Sequence, residues 1–270
     1  TAYEIGVRLV GSEMCIRDSN KGIKSGDFKV WSNGELTLSG AFDNDFQSGE
    51  WKWFRSDKKL DSLITFTKGR YNGLYQVWHQ NGDQAIIGKY LNDYPEGKWE
   101  WWSEDAILDS VKTFSSGSLN GSFMIYHNNG VLARSANFRL DELDGLESIY
   151  YISGQLKEKT TYNAGEKMGS YEIWARNGNI EEIGSYLSDQ LHGQIKRWYS
   201  NGSPASLFTY EDGLLNGLMQ VYSLSNILKR ESYYRKGNEI ARFEYHDNGR
   251  FKRIMTVDDG MTLYERKWNY

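Results

Sequence analysis

Apolar and polar positions alternate along most of the chain in short runs that recur with a fixed step. Each run begins near a glycine, and large side chains follow it at alternating positions. This leading glycine recurs every 24 residues, at Gly49, Gly73, Gly97, Gly121, Gly145, Gly169, Gly193 and Gly217. A fixed period of this length is the signature of stacked supersecondary units, so the chain is predicted to be a repeat protein.

Two aromatic columns keep the same step. The first aromatic column lies five residues after the glycine, at Phe54, Trp78, Trp102, Tyr126, Tyr150, Trp174, Trp198 and Tyr222, with Trp31 and Tyr245 near its ends. The second aromatic column lies seventeen residues after the glycine, at Phe66, Tyr90, Phe114, Phe138, Tyr162, Tyr186, Tyr210 and Tyr234. Strands that bury aromatic residues in register explain such columns better than helices do.

Turn signals separate the runs. Asn-Gly pairs such as Asn81-Gly82 and Asn177-Gly178 predict two-residue type I′ hairpin turns, because both residues tolerate a positive φ. A second, slightly longer turn is expected at Asp45, Gly69, Asp93 and their equivalents, which are also turn formers. The sequence therefore predicts an all-β fold. We expect an elongated antiparallel β-meander of stacked 24-residue hairpin repeats, forming a single-layer twisted sheet.

Alternation of side chains across a strand divides the columns between two faces. Positions two and four after the glycine, such as Trp51, Trp53, Trp99 and Trp101, share a face with the second aromatic column and should form the core. The first aromatic column then lies on the opposite face, among mostly polar neighbours such as Glu100. A bulge at the hairpin would shift this assignment.

This opposite face contains the candidate binding residues, which we call the aromatic stripe. The stripe consists of Trp78, Trp102, Tyr126, Tyr150, Trp174, Trp198 and Tyr222. Exposed apolar patches of this length usually mark interactions, so the stripe is a candidate surface for a peptide, a glycan or lipid headgroups. The alternative is structural: the rings lie flat over glycines and strengthen the sheet, partly covered by Ile87, Val111, Ile183 and Leu207.

The spacing of aromatic residues and glycines resembles a known repeat family. The stretch from Phe66 to Gly82 reads Phe-x-x-Gly-x-x-x-Gly-x-Tyr-x-Val-Trp-x-x-Asn-Gly, which resembles the MORN repeat, in particular its bacterial variant with Asn-Gly hairpins. The resemblance covers roughly residues 20–250. It implies a scaffold, a lipid-associated or membrane-associated adaptor, or a partner protein of the kind labelled antitoxin in some relatives. It supplies no catalytic motif.

The repeat register suggests three segments. We interpret residues 1–19 as non-native, because Leu9 to Ser19 resembles a translated sequencing adapter; a natural N-terminal strand is the alternative. The native start would then be missing, and Cys15, the single cysteine, lies in this segment. Residues 20–249 should form the repeat array as one domain, and 250–270 a capping hairpin whose basic side chains discourage further strand addition.

Composition limits the function. The net charge is −4, with both signs interspersed, which argues against nucleic-acid binding. No apolar run is long enough for a transmembrane helix. The histidines and the turn aspartates that share columns are too far apart to bind one metal ion, so no metal or cofactor is expected. The chain contains no G-x-S-x-G, phosphate-loop or H-E-x-x-H motif, and we expect no enzyme activity.

Three hypotheses for function remain. The first is a non-catalytic repeat scaffold that mediates protein–protein interaction with an unidentified protein partner. The second is a surface or envelope-associated protein that binds glycan or lipid headgroups through the aromatic stripe, and the third is an antitoxin-like partner protein. The sequence fits either a cytoplasmic or a cell-envelope location.

Overall fold

The computed structural model describes residues 3–4, 7–8, 13–20, 22–258 and 260–268, and every regular element in these ranges is a β-strand. The all-β prediction is confirmed. The chain divides into two compact units, the first formed by 1–131 with 138–141 and the second by 132–137 with 142–270. Within residues 1–19 the structure describes only the backbone of three strands. The interpretation of this segment as non-native, and the side chain of Cys15, therefore lie outside what is described.

The first unit is an antiparallel meander. Its strands are β1 (Tyr3–Glu4), β2 (Val7–Arg8), β3 (Glu13–Asn20), β4 (Ile23–Ser32), β5 (Glu35–Asp43), β6 (Phe46–Phe54), β7 (Leu60–Thr67), β8 (Arg70–Trp78), β9 (Gln84–Leu91), β10 (Tyr94–Trp102), β11 (Leu108–Ser115) and β12 (Ser118–Tyr126). From β3 to β12 each strand pairs antiparallel with the next, and β1 and β2 both pair with β3.

The second unit repeats this topology. Its strands are β13 (Leu132–Arg139, in this unit up to Asn137), β14 (Glu142–Leu143), β15 (Gly145–Tyr150), β16 (Leu156–Asn163), β17 (Glu166–Trp174), β18 (Ile180–Leu187), β19 (Gln190–Leu191), β20 (Gly193–Trp198), β21 (Pro204–Glu211), β22 (Leu214–Leu215), β23 (Gly217–Tyr222), β24 (Leu228–Arg235), β25 (Asn238–Tyr245), β26 (Phe251–Asp258) and β27 (Met261–Lys267). The two-residue strands β14, β19 and β22 are each separated by one residue from the strand that continues them. The predicted final hairpin corresponds to β26 and β27, which pair antiparallel.

The two turns of each repeat are interchanged relative to the prediction. At Asn81-Gly82 the His79 amide donates to Asp83 O (2.8 Å) and the Gly82 amide to His79 O (2.9 Å), which closes a three-residue loop. Only Gly82 has a positive φ there, because the Asn81 side chain accepts the Asp83 amide and thereby stabilises a type I turn. Among these pairs, Asn33-Gly34 has two positive φ values, of 52° and 81°.

The tight two-residue turns with two positive φ values occur instead at the second turn position. Asn92 and Asp93 have φ values of 50° and 72°, and they join Leu91 to its cross-strand partner Tyr94. The sequence signal was misleading because an Asn-Gly pair fits two kinds of loop. It fits a type I′ turn, and it also fits the last two residues of a three-residue loop in which a type I turn is followed by a left-handed glycine.

The face assignment holds in spite of this interchange. On β9, Gln84 pairs with Trp78 and Ile86 pairs with Val77, so Ala85 between them has no cross-strand partner. This β-bulge compensates for the odd number of loop residues and restores the register. Equivalent shifts follow the other loops of both units.

The core lies on the expected face. Trp51 and Trp99, two residues after a leading glycine, are 3% and 4% exposed. The Trp99 ring meets Tyr90 of the second aromatic column edge to face, with centroids 5.0 Å apart, and its Nε1 donates to Lys89 O at 3.2 Å. In the second unit the same position is buried at Tyr171, Ile195 and Met219.

The leading glycine recurs for a reason that the sequence pattern did not reveal. On β8, Tyr71 and Tyr75 pair with Phe66 and Ile64, so three residues centred on Gly73 lie opposite Thr65 alone. Gly73 has a φ of 122°, and a Cβ there would lie 2.9 Å from Thr65 Cβ. A glycine is therefore required at this bulge for both backbone and steric reasons.

The loop between Ser103 and Ile107 contains a position at which a substitution should stabilise the protein. Ala106 occupies the third loop position, where most of the other repeats have glycine and two have Lys58 and Asn226, and its φ is 55°. A left-handed conformation costs a non-glycine residue roughly 1–2 kcal/mol, whereas glycine loses roughly 0.5–1 kcal/mol in conformational entropy. Ala106→Gly is therefore expected to raise the free energy of unfolding by about 0.5–1 kcal/mol in denaturant titrations. Ala205→Gly, on the extended strand β21, should lower it, and equal losses in both variants would contradict this account.

Candidate functional site

The aromatic stripe lies at corresponding places in the two units. Trp78, Trp102 and Tyr126 are the last residues of β8, β10 and β12 in the first unit, and Tyr150, Trp174, Trp198 and Tyr222 are the last residues of β15, β17, β20 and β23 in the second unit. All seven side chains are half-buried. They are more accessible than the core residues Trp51 and Trp99, although Leu63 and Val111 beside them on the same face are 7% and 5% exposed.

Side-chain contacts place the stripe on the face opposite the core. Tyr126 Oη lies 3.4 Å from Met124 Sδ, and Tyr222 Oη donates to Gln220 Oε1 at 2.9 Å. Both partners lie two residues before the ring and hence on the same side of the strand. The structure thus brings together the residues that the sequence grouped, within each unit.

The surroundings of the stripe differ between the units. In the first unit the aliphatic side chains of Leu63, Ile87 and Val111 lie on this face, and Val111 pairs with Glu100 and Met124. In the second unit the corresponding positions include Lys159, whose ammonium lies over the Trp174 ring at 5.9 Å from the centroid. The stripe therefore has an aliphatic border in the first unit and a mixed border in the second, where Ile183 and Leu207 share this column with Lys159.

The indole N–H groups of the stripe are not used for internal hydrogen bonding. In the described residues, Trp78, Trp102, Trp174 and Trp198 donate to no protein acceptor, whereas the core residues Trp51 and Trp99 donate to backbone carbonyls. Trp102 Nε1 is buried and still lacks a partner. A buried donor without an acceptor costs about 1–3 kcal/mol, so this group is unusual.

A ladder of hydrogen bonds, which sequence reasoning missed, fixes the stripe from repeat to repeat. In four repeats the residue after the aromatic ring extends to the next repeat and donates to the backbone carbonyl of the next ring. The bonds are Arg55 Nη2 to Trp78 O (2.5 Å), His79 Nε2 to Trp102 O (2.7 Å), Tyr151 Oη to Trp174 O (2.9 Å) and Tyr199 Oη to Tyr222 O (2.7 Å). The signal in the sequence was a column in which Arg55, His79, His127, Tyr151 and Tyr199, all long side chains with a donor, are interrupted only by Ser103, Ala175 and Ser223.

The aligned histidines and aspartates thus have structural contacts. A carbonyl oxygen can only accept, so His79 Nε2 carries a proton in the bond to Trp102 O. Asp93 Oδ1 accepts the Tyr71 amide at 2.8 Å, and Asp45, Asp141 and Asp189 make the equivalent bond one repeat back. Within the described ranges, no three His, Cys, Asp or Glu side chains come together as metal ligands.

Buried ionic contacts on the core face distinguish the second unit. Glu147 is 6% exposed and accepts from Arg134 Nε at 2.6 Å. Burial, together with the nearby Glu147 carboxylate, raises the pKa of Tyr162 to about 12. Farther along, Glu182 accepts from Arg197 Nε at 2.6 Å, and Glu239 accepts from both Arg230 and Arg242 at 2.6 Å.

The contacts of Glu239 predict that the second unit loses stability in acid. Burial raises the pKa of Glu239, but the hydrogen bonds from Arg242, Ser232 and Arg230 outweigh it and bring the pKa from 4.5 to about 2. A lowered carboxyl pKa contributes stability above the unfolded value that is lost as the pH falls through the folded value. We therefore expect part of the stability to disappear between about pH 4.5 and pH 2 in thermal melts.

The matched variant for this prediction is Glu239→Gln, which keeps the shape and removes the titration. It should be less stable than the wild type at pH 6, and its melting temperature should fall less steeply with pH in the acid range. The control is Glu35→Gln, whose carboxylate is 40% exposed and pairs with Lys58 at 3.4 Å, and it should change the slope much less. An identical slope in Glu239→Gln and wild type would contradict the assignment.

The described residues contain no helix with the length and apolar content needed to cross a bilayer.

Comparisons with known proteins agree with the repeat pattern. The family described as MORN repeat variant matches residues 143–164 and 191–212, two stretches that are 48 residues apart and each run from two residues before a leading glycine to the second turn. No curated protein matches the chain.

Among solved structures, the crystal structure of TcdB2-TccC3 is similar over 92% of this chain and 15% of that one, at 13% identity and a TM-score of 0.22. The same complex without its hypervariable C-terminal region gives 13% identity, the same coverage and a TM-score of 0.23. The chain therefore spans about 15% of the length of these structures. The two profile matches agree with the resemblance to MORN repeats seen in the sequence, and the 24-residue period with its antiparallel hairpins continues the same kind of unit along the chain.

Proposed function

We propose that this protein is a non-catalytic repeat scaffold that binds a polypeptide partner through the aromatic stripe. The observation that carries the proposal is the contrast between the two sets of tryptophans. Trp51 and Trp99 are buried with satisfied indole N–H groups, whereas Trp78 and Trp102 are half-buried with N–H groups that have no protein acceptor. Aromatic residues of this kind dominate the binding energy of protein interfaces.

The hydrogen bonds of the aligned polar residues support a scaffold role without catalytic chemistry. His79 and Asp93, which share columns with similar residues, are occupied by hydrogen bonds that connect neighbouring repeats. Such residues hold the array together and are not arranged around a common substrate.

The test is photo-cross-linking followed by direct binding. A photoreactive phenylalanine analogue replaces Trp78 in one variant and Leu140, an exposed turn residue, in another. A protein captured only by the first variant is identified, purified and titrated against the wild type and against Trp78→Ala and Leu140→Ala. We expect Trp78→Ala to weaken binding at least about tenfold and Leu140→Ala to leave it unchanged. Equal affinities for all three chains, or cross-links to glycan or lipid alone, would contradict the proposal.

A further inference from the structure

We infer that the stripe of the first unit binds a proline-rich segment in the polyproline II conformation, which names the partner chemistry of the proposed function and rests on it. The site comprises Trp78, Trp102 and Tyr126, with Ile87 beside them on the same face and Val111, which is 5% exposed, packed between the strands that carry them. The ligand crosses the strands and follows the column from one ring to the next.

The first argument is the match of two periods. Successive rings of the stripe are two strands apart, which places them about 9.6 Å from one another. A polyproline II helix has three residues per turn and rises about 3.1 Å per residue, so it presents the same side every 9.3 Å or so. A proline on each turn therefore meets one ring per repeat. Three rings correspond to about nine ligand residues, and because the sheet twists by roughly 20–25° per strand, a ligand that meets all three rings must wind with the sheet.

The second argument is hydrogen-bond complementarity. Polyproline II has no internal hydrogen bonds, and proline has no N–H, so the ligand presents carbonyl acceptors without competing donors. The stripe presents the opposite at Trp78, whose indole N–H donates to no protein acceptor in the described residues, whereas Nε1 of Trp102 is buried, so that Trp102 contributes its ring alone. Rings with a free indole N–H bordered by aliphatic side chains are the usual groove for proline-rich segments.

The third argument is the neutral border of the site. The carboxylate on this face, Glu100, forms an ion pair with Lys98. Gln76 and Met124, the residues two positions before Trp78 and Tyr126, carry no charge. In the second unit Lys159 already lies over the Trp174 ring, and charged Glu172 and Lys196 precede Trp174 and Trp198. An uncharged, proline-rich ligand therefore fits the first unit better than the second.

The test uses the full chain and isothermal titration with capped nonaproline as the probe. A Gly/Ser peptide of equal length, a chito-oligosaccharide hexamer and phosphatidylcholine vesicles form the other arms. We expect nonaproline alone to bind. Trp78→Ala and Trp102→Ala should weaken binding at least about tenfold, whereas Trp198→Ala, from the same column in the second unit, should change it less than about twofold. Trp78→Phe keeps a ring without the N–H donor and should lose about fivefold, as for one hydrogen bond.

Circular dichroism of each variant establishes that the fold is intact before its affinity is interpreted. Absence of nonaproline binding to the wild type, or an equal loss in Trp198→Ala, overturns the inference. If the purified cross-linked partner still binds at Trp78 while nonaproline does not, the inference fails and the proposed function stands. If the oligosaccharide or the vesicles bind through Trp78 instead, both fail at this surface.

Discussion

Replacing Arg134 with alanine is expected to lower the free energy of unfolding of the second unit by about 3 kcal/mol or more. Arg134 donates from Nε to Glu147 Oε1 at 2.6 Å, and Glu147 is only 6% exposed on the core face. Removing one partner of a buried ion pair typically costs 3–5 kcal/mol, because the other charge stays buried; Glu147 would keep the hydrogen bond from Tyr162. The Arg134 side chain is about one-third exposed, which favours the lower end of this range.

The measurement is urea unfolding followed by circular dichroism, with hydrogen exchange of the β15 and β16 amides to localise the loss. The matched control is Lys52→Ala, which removes a partner of Glu50 in an exposed ion pair of the first unit and should cost less than about 1 kcal/mol. The double variant Arg134→Leu with Glu147→Leu should recover most of the stability, because an apolar pair removes the buried charge. A loss in Arg134→Ala no larger than in Lys52→Ala would contradict the role of the pair.

Adding one methyl group at Gly88 is expected to cost about 2–3 kcal/mol. A Cβ at Gly88 would overlap the indole ring of Trp99, which lies flat over this glycine. The backbone of Gly88 has no positive φ, so the cost is steric and not conformational. Gly40 under Trp51 is the same arrangement 48 residues earlier.

A second substitution tests the steric explanation for Gly88→Ala. Trp99→Phe reduces the size of the ring, so the double variant should lose less stability than the sum of the two single variants. This non-additivity, measured as a coupling energy in a double-mutant cycle, is expected to be at least about 0.5 kcal/mol. Additive losses would show that the ring and the glycine do not oppose each other.

The sequence pattern predicts the positions of the strands and the face that forms the core. The 24-residue period places the strands correctly, and alternation places Trp51 and Trp99 on the core face, because both depend only on local spacing. The tryptophans over glycines were expected on the stripe and occur instead on the core face. The pattern at Gly40 and Gly88 steps by 48 residues, so a unit of 24 residues hides it.

The sequence analysis did not predict the contacts between repeats, for a different reason. His79 looks like a surface residue in any single repeat, and its bond to Trp102 O exists only once the next repeat is stacked beside it. The exchange of the two turns has a similar origin. Asp93 accepts the Tyr71 amide from the preceding hairpin, and that contact supports a left-handed aspartate where the sequence suggested a looser turn.

The central claim is that the core residues Trp51 and Trp99 are buried whereas the stripe residues Trp78 and Trp102 are accessible to solvent. Acrylamide quenching of tryptophan fluorescence tests this claim most directly. The wild type is compared with the double variants Trp51→Phe with Trp99→Phe and Trp78→Phe with Trp102→Phe. We expect the quenchable fraction of the emission to rise when the buried pair is removed and to fall when the stripe pair is removed. A fall of equal size in both variants, or full protection of Trp78 and Trp102, would mean that the stripe is structural and would contradict its role as a binding surface.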